Sequence, residues 1–141
     1  MTDKNRIPQL IANLQSVGKK TVKIGVFNPE VATYAAANEF GVSAKGLPER
    51  SFIRKTIDKK EVQEKCREAL EPLFDLNSNP MKSLEKVAVI LQAETKKTIQ
   101  QGGYKPLSDK YKRWKDKTFG SGLNILYATG TLFKSIIAKV E

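Results

Sequence analysis

Five carboxylates, Glu30, Glu39, Glu49, Asp58 and Glu61, are the residues best placed to carry protons in this chain, because it has no histidine and a single cysteine, Cys66. Carboxylate catalysis needs an acid and a base held close together with separated pKa values. These five are scattered, no spacing pairs them, and solvated surface or ion pairing is the expectation for each. Without histidine, neither a Ser–His nor a Cys–His nucleophile pair can be built, and the common zinc ligand sets are out of reach. The glycine-bearing stretches "GVSAKGLPER" and "QGGYKP" match neither the phosphate-binding loop nor the dinucleotide fingerprint. No catalytic, cofactor-binding or metal-ligating residue is assigned, no cofactor is expected, and the reading is that of a protein that is not an enzyme.

Charge points instead to binding. The 141 residues carry 25 Lys plus Arg against 15 Asp plus Glu, a formal charge of +10, so anionic partners come into consideration. Basic residues interleave with aromatic ones most densely in "PLSDKYKRWKDKTFGSG", where Lys110, Tyr111, Lys112, Arg113, Trp114 and Lys115 form a candidate basic aromatic surface. Ser108 is placed to cap a helix there, and Tyr111 and Trp114 would then share a face at i, i+3. Two arrangements suit that helix. Its rings can stack on bases while its cations neutralise phosphates, or the rings can pack on the core while the lysines face water. The second is expected, because lysines also populate the stretch after Leu14, residues 54–60 and the pair 96–97.

The elements that must position these residues follow from periodicity. Ile7, Leu10, Ile11, Leu14 and Val17 recur at helical spacing over about residues 4–17, with Gly18 where a left-handed cap would fall. "TVKIGVF" alternates like a half-buried strand and ends at Asn28-Pro29, after which "EVATYAAANEF" reads as a short helix closed by Gly41. Phe52, Ile53, Ile57, Cys66, Ala69 and Leu70 mark helix, broken in pattern by the charged run at 58–61 and ending near Pro72. Asn79 and Pro80 open the longest helix as N-cap and first residue. Its stripe is Met81, Leu84, Val87, Ala88, Leu91, Thr95, Thr98 and Ile99, and "QQGGY" ends it. Thr129 is expected to cap a turn carrying Leu132 and Phe133, and Ser135 to Val140 reads as a terminal strand.

One domain, residues 1–141, is expected from the length. A lone cysteine allows no disulfide within the chain, and together with the lack of a signal-peptide core it is read as the mark of a soluble product of a reducing cytoplasm. No apolar run approaches the roughly 20 residues that span a bilayer, and no membrane partner is expected.

The stretch "NEFGVSAKGLPERSF", residues 38–52, differs from both neighbours. Gly41 can take positive φ to leave a helix, Pro48 stiffens the approach, Arg50 can make bidentate bonds to a carboxylate, and Phe52 supplies an apolar anchor. Either Glu39 and Arg50 pair within one subunit while Phe52 enters its own core, or the loop meets a second subunit directly. Together, "VKIGVF", the alanine-bearing run into "NEFG", "LPERSFIR" and "ATGTLFKSI" resemble the small virion-morphogenesis proteins of tailed bacteriophages, the neck or tail-completion group that joins head to tail. Asn38, Glu39 and Gly41 fit the first element, Pro48, Arg50 and Phe52 the second, and Thr129, Gly130, Leu132, Ser135 and Ile136 the third. Val42 stands where threonine is usual in that group, and Ser51 where a second proline is usual.

The resemblance, over about residues 20–137, implies an α+β fold, a small, mostly antiparallel sheet packed by several helices. It also implies a homo-oligomeric ring of hexameric size at the head-proximal end of the tail tube, as a tail terminator or head-closure protein. Its partners would be copies of itself, tail-tube proteins and head-connector proteins, with contact to phage DNA incidental. The chain would be made in the host cytoplasm and end in the virion. Glu39, Gly41, Pro48, Arg50 and Phe52 would pin the loop or line an interface. Loops 42–50 and 105–122 are expected to be mobile until assembly orders them.

Overall fold

In a computed structural model, residues 6–104, 108–120 and 131–141 are described. The fold is α+β. The first helix, α1, runs Ile7–Gly18 with a proline in its first turn, and none of its residues is fully buried. Its end differs from expectation. Gly18 is the last helical residue rather than a left-handed cap, and Lys19 follows at φ −100°. The chain needs no reversal there: a tight turn with Lys20 N–H donating to Val17 O at 2.9 Å leads straight into the strand.

The strand β1 is Val22–Val26, and Asn28 then caps α2, Pro29–Phe40, its side chain accepting from Glu30 N–H. Gly41 leaves α2 at φ +71°, and a Cβ there would stand 2.9 Å from both Glu49 N and Leu47 O. The returning chain is packed against the helix end closely enough that only glycine fits. Residues 42–47 form a small closed turn in which Val42 and Leu47 exchange backbone hydrogen bonds of 2.9 and 3.1 Å. Helix α3, Ile53–Ile57, and α4, Lys60–Leu70, are separated at Asp58–Lys59, where Lys59 turns to ψ 123°, so the charged run is a true break.

Asn79 caps α5, Pro80–Gln101, by accepting from Met81 N–H at 3.1 Å. At 22 residues this helix is roughly 33 Å long. It packs against α1, α3, α4, β1 and the last strand, β2, Ile136–Val140. Two short elements precede β2: α6, Asp109–Phe119, and α7, Thr131–Ser135. Ser135 thus closes a helix rather than opening the strand. The proposed cap Thr129 and most of the 120–122 glycine loop lie outside the described residues, as do Gly130 and residues 105–107.

Strands β1 and β2 pair antiparallel with Val22 opposite Val140 and Val26 opposite Ile136. Thr21 and Glu141 extend the ladder by exchanging backbone bonds. The Glu141 carboxylate then bridges Lys23 at 2.5 Å and Lys139 at 2.9 Å, and Lys23 followed by Lys139 holds it well down, at about 2. The core joins Val31 and Ala35 of α2, Phe52, Ile99 of α5, Leu132 of α7 and Ile136 of β2. It therefore draws on segments from both ends of the chain. Among the described residues no helix is long and apolar enough to cross a membrane.

Two tests follow from this packing. Gly41→Ala meets both a positive φ and backbone atoms, so it should lower unfolding free energy by about 2 kcal/mol or more, whereas Gly46→Ala, with φ +63° and open space, should cost only about 1. Urea denaturation measures both. A carboxyl whose pKa is depressed on folding stabilises above its unfolded value, 4.5, and loses that contribution as pH falls through about 2. Glu141→Gln should therefore lower the melting temperature slightly at neutral pH and leave it unchanged near pH 2, as read by circular dichroism.

Candidate functional site

A helix presents unpaired N–H groups at its start, and α3 begins without a cap from its own neighbours. The acceptor comes from the end of α2. Glu39 Oε2 accepts from Phe52 N–H at 2.8 Å and Ile53 N–H at 3.0 Å, while Oε1 accepts from Arg54 N–H at 3.0 Å and Arg54 Nε at 3.1 Å. Glu39 is only 5% exposed. A carboxylate so buried is tolerable only when it is paired and its lone pairs are filled, and this one has an opposite charge and three backbone donors. Arg54 also donates to the Glu39 carbonyl, pairs with Glu49 at 2.9 Å and lies over the Phe40 ring at 4.8 Å. The clamp thus ties α2, the foot of the 42–50 loop and α3 into one piece.

The intrachain Glu39–Arg50 pair, one of the two arrangements open in the sequence, does not form, and the cation on the carboxylate is Arg54. Arg54 takes the carboxylate because the α3 backbone already aims Ile53 and Arg54 N–H at it, so its side chain needs only a short reach. Arg50 is 3% exposed, and its own N–H donates to Asn38 O at 2.7 Å. Its guanidinium is among the charges acting on Tyr34 of α2 and on Lys115 of α6. Phe52, wholly buried, sits in the core, and Pro48 packs within 3.2 Å of where a Gly41 Cβ would be. Asn38 closes the helix end by donating to Tyr34 O at 3.0 Å.

The third motif element meets the same place. Leu132 and Ile136 lie in the core cluster with Phe52 and Ala35, and Ser135 Oγ donates to Thr131 O at 2.6 Å. Nearby, burial first and the Glu39 charge second push the Tyr104 phenol up to about 12. Lys55 Nζ stands 4.7 Å above the Tyr104 ring.

The basic aromatic segment departs from expectation in its two rings and in one lysine, while its other cations face water as expected. Ser108 caps α6, its hydroxyl accepting from Tyr111 N–H at 3.4 Å, and the Tyr111 and Trp114 rings sit 5.3 Å apart. Tyr111 is 39% and Trp114 51% exposed, while Lys115 is 3% exposed. Lys110, Lys112 and Arg113 are on the surface and Lys115 is not. Among the described elements none makes extensive contact with α6. Burial pushes the Lys115 ammonium below its ordinary value, with Arg50 adding to the lowering and Asp116 opposing it.

A polar seam between α3, α4 and α5 escaped the sequence reading. Thr56 Oγ1 lies 2.6 Å from Phe52 O and 2.7 Å from Thr98 Oγ1, and Lys59 Nζ donates to Thr98 Oγ1 and to Gln101 Oε1. Glu94, outside the expected apolar stripe, is buried against Lys65 at 2.6 Å. The threonines in that stripe were the available sign that its inner end is polar. Arg54 was likewise readable as a cation in the first turn after the loop.

Two carboxyls among the described residues are displaced from their usual range, both downward, Glu94 through its hydrogen bond to Lys65 and Glu141 through Lys23 and Lys139. Among the described residues no cluster of three or more possible metal ligands occurs. No family model, curated protein or solved structure matches this chain.

Removing the clamp should be costly. Glu39→Ala leaves several buried donors and Arg54 without their acceptor, and should lower unfolding free energy by about 3–5 kcal/mol. Glu39→Gln keeps one acceptor oxygen but no charge, and should cost about half as much. Denaturant titration of both variants, with Arg50→Ala alongside, checks that the clamp partner is Arg54: in a double-mutant cycle Glu39 should couple to Arg54 and not to Arg50.

Proposed function

We propose that this chain is a structural assembly protein of a tailed phage, a subunit of a hexameric ring at the neck or head-proximal end of the tail tube, where head joins tail. The observation that carries the reading is the convergence of the motif elements. Glu39 from the first closes on Phe52 and Ile53 of the second, and Leu132 and Ile136 of the third share one core with Phe52. The residues of the resemblance thus act together as one structural node, whose chemistry is to hold a loop by its foot.

A closed ring needs two different patches on each subunit. The 42–50 loop suits one of them, since Ser43 to Gly46 and Glu49 are exposed while Gly41, Pro48 and Arg50 hold its base. Apolar surface suits the other. Ile7 and Phe74 are exposed at a cavity of about 340 Å³, and Ile11 of α1 and Val89 of α5 are exposed as well. In this reading the partners are further copies of the chain, tail-tube proteins and head-connector proteins, and the site of action is the virion.

Light scattering and negative-stain imaging of the purified protein, alone and mixed with purified tail tubes, test the proposal. Rings, or densities capping one end of the tubes, are expected. A chain that stays monomeric and leaves tube ends bare would overturn it, as would particles that carry attached tails of normal length when the gene is deleted.

A further inference from the structure

We propose that the outward face of α6 is a binding surface for single-stranded nucleic acid, with Tyr111 and Trp114 as the stacking platform and Lys110, Arg113 and Lys117 as the phosphate contacts. At 3.6 residues per turn, Arg113, Lys117, Lys110, Trp114, Thr118 and Tyr111 follow one another around one side of the helix. Asp109 and Asp116 fall on the other side. All six residues of that face are exposed. Among the described residues, Lys110, Arg113 and Lys117 enter no ion pair. Their charge is therefore not already neutralised by a neighbouring carboxylate.

Two observations choose the occupant. Tyr111 and Trp114 keep 39% and 51% of their surface exposed on a helix whose Lys115 is inward, so aromatic surface is offered to solvent while a charged stem is buried. The cations lie along one flank of that ring pair. A nucleotide has both complements, a planar base and an anionic phosphate, and base–aromatic stacking is indifferent to sequence. An acidic polypeptide would match the cations and leave the rings unused, while a duplex keeps its bases stacked inside. The proposal does not depend on ring formation, since α6 is complete within one subunit.

Trp114 is the only tryptophan in the chain, so its fluorescence reports on this surface alone. Full-length protein would be titrated with a short oligothymidylate, with a duplex of equal length and with polyglutamate, at several salt concentrations. The expected results are quenching of Trp114 by the single strand and weaker binding of the other two polyanions. By anisotropy of a labelled oligothymidylate, Trp114→Ala should bind roughly ten-fold more weakly. Lys110→Ala and Arg113→Ala should each make the slope of log affinity against log salt shallower by about 0.7. Trp114→Phe, which keeps a ring and is the safer variant for folding, should retain most of the affinity. Absence of quenching overturns the proposal. So does polyglutamate or duplex binding as tight as that of the single strand, which would assign the face to an acidic protein or to double-stranded DNA.

Discussion

Burying the charge of Glu39 is the commitment on which the rest of the molecule turns. A carboxylate in a 5% exposed position is stable only if every strong donor around it stays in place. That requirement acts over distance along the chain. Residues 52–54 must return to the end of α2, so the intervening loop has a fixed width, Gly41 must turn back sharply, and α3 must start where the carboxylate can cap it. With α3 fixed, Phe52 drops into the core beside Ala35, and Thr56 faces Thr98 on α5. One buried carboxylate therefore helps set the relation of α2, α3 and α5, which also meet in the apolar core.

The core it organises is small, and its closure is topological as much as hydrophobic. Ile24 and Val26 near the start and Leu132 and Ile136 near the end meet through the β1–β2 ladder, with α5 lying across both strands. Gln92 of α5 accepts from Ala138 N–H at 2.9 Å, so the long helix satisfies part of the sheet edge that it covers. A chain with a modest core gains from such arrangements because each fixes a backbone segment by hydrogen bonds that water would otherwise take.

What was legible in the sequence was local, and what was not was relational. Asn79 and Ser108 are legible as caps because their side chains reach N–H groups two or three residues on, a property that needs no tertiary knowledge, and Asn28, read only as the end of the strand, caps α2 in the same way. The alternation of β1, the length of α5 and the positive φ of Gly41 belong to the same class. The inward face of α6 does not, because periodicity says that Tyr111 and Trp114 share a side but not what lies opposite. Glu39 enters as a pinning residue through the motif resemblance, with a pair to Arg50 as one of two open arrangements. Arg50 and Arg54 are equally available in sequence, and only the direction of the α3 N–H groups distinguishes them.

That distinction gives the two arginines separate work. Residues 48–52 form one short stretch whose side chains leave in different directions: Phe52 to the core, Arg50 to where its charge acts on Tyr34 of α2 and Lys115 of α6, and Glu49 outward to Arg54. If Arg50 had taken Glu39, α6 would have lost the guanidinium beside Lys115 and Tyr34, and α3 its N-terminal anion. Because Arg54 takes it, the node that holds the loop also sets the ground beneath the basic aromatic helix.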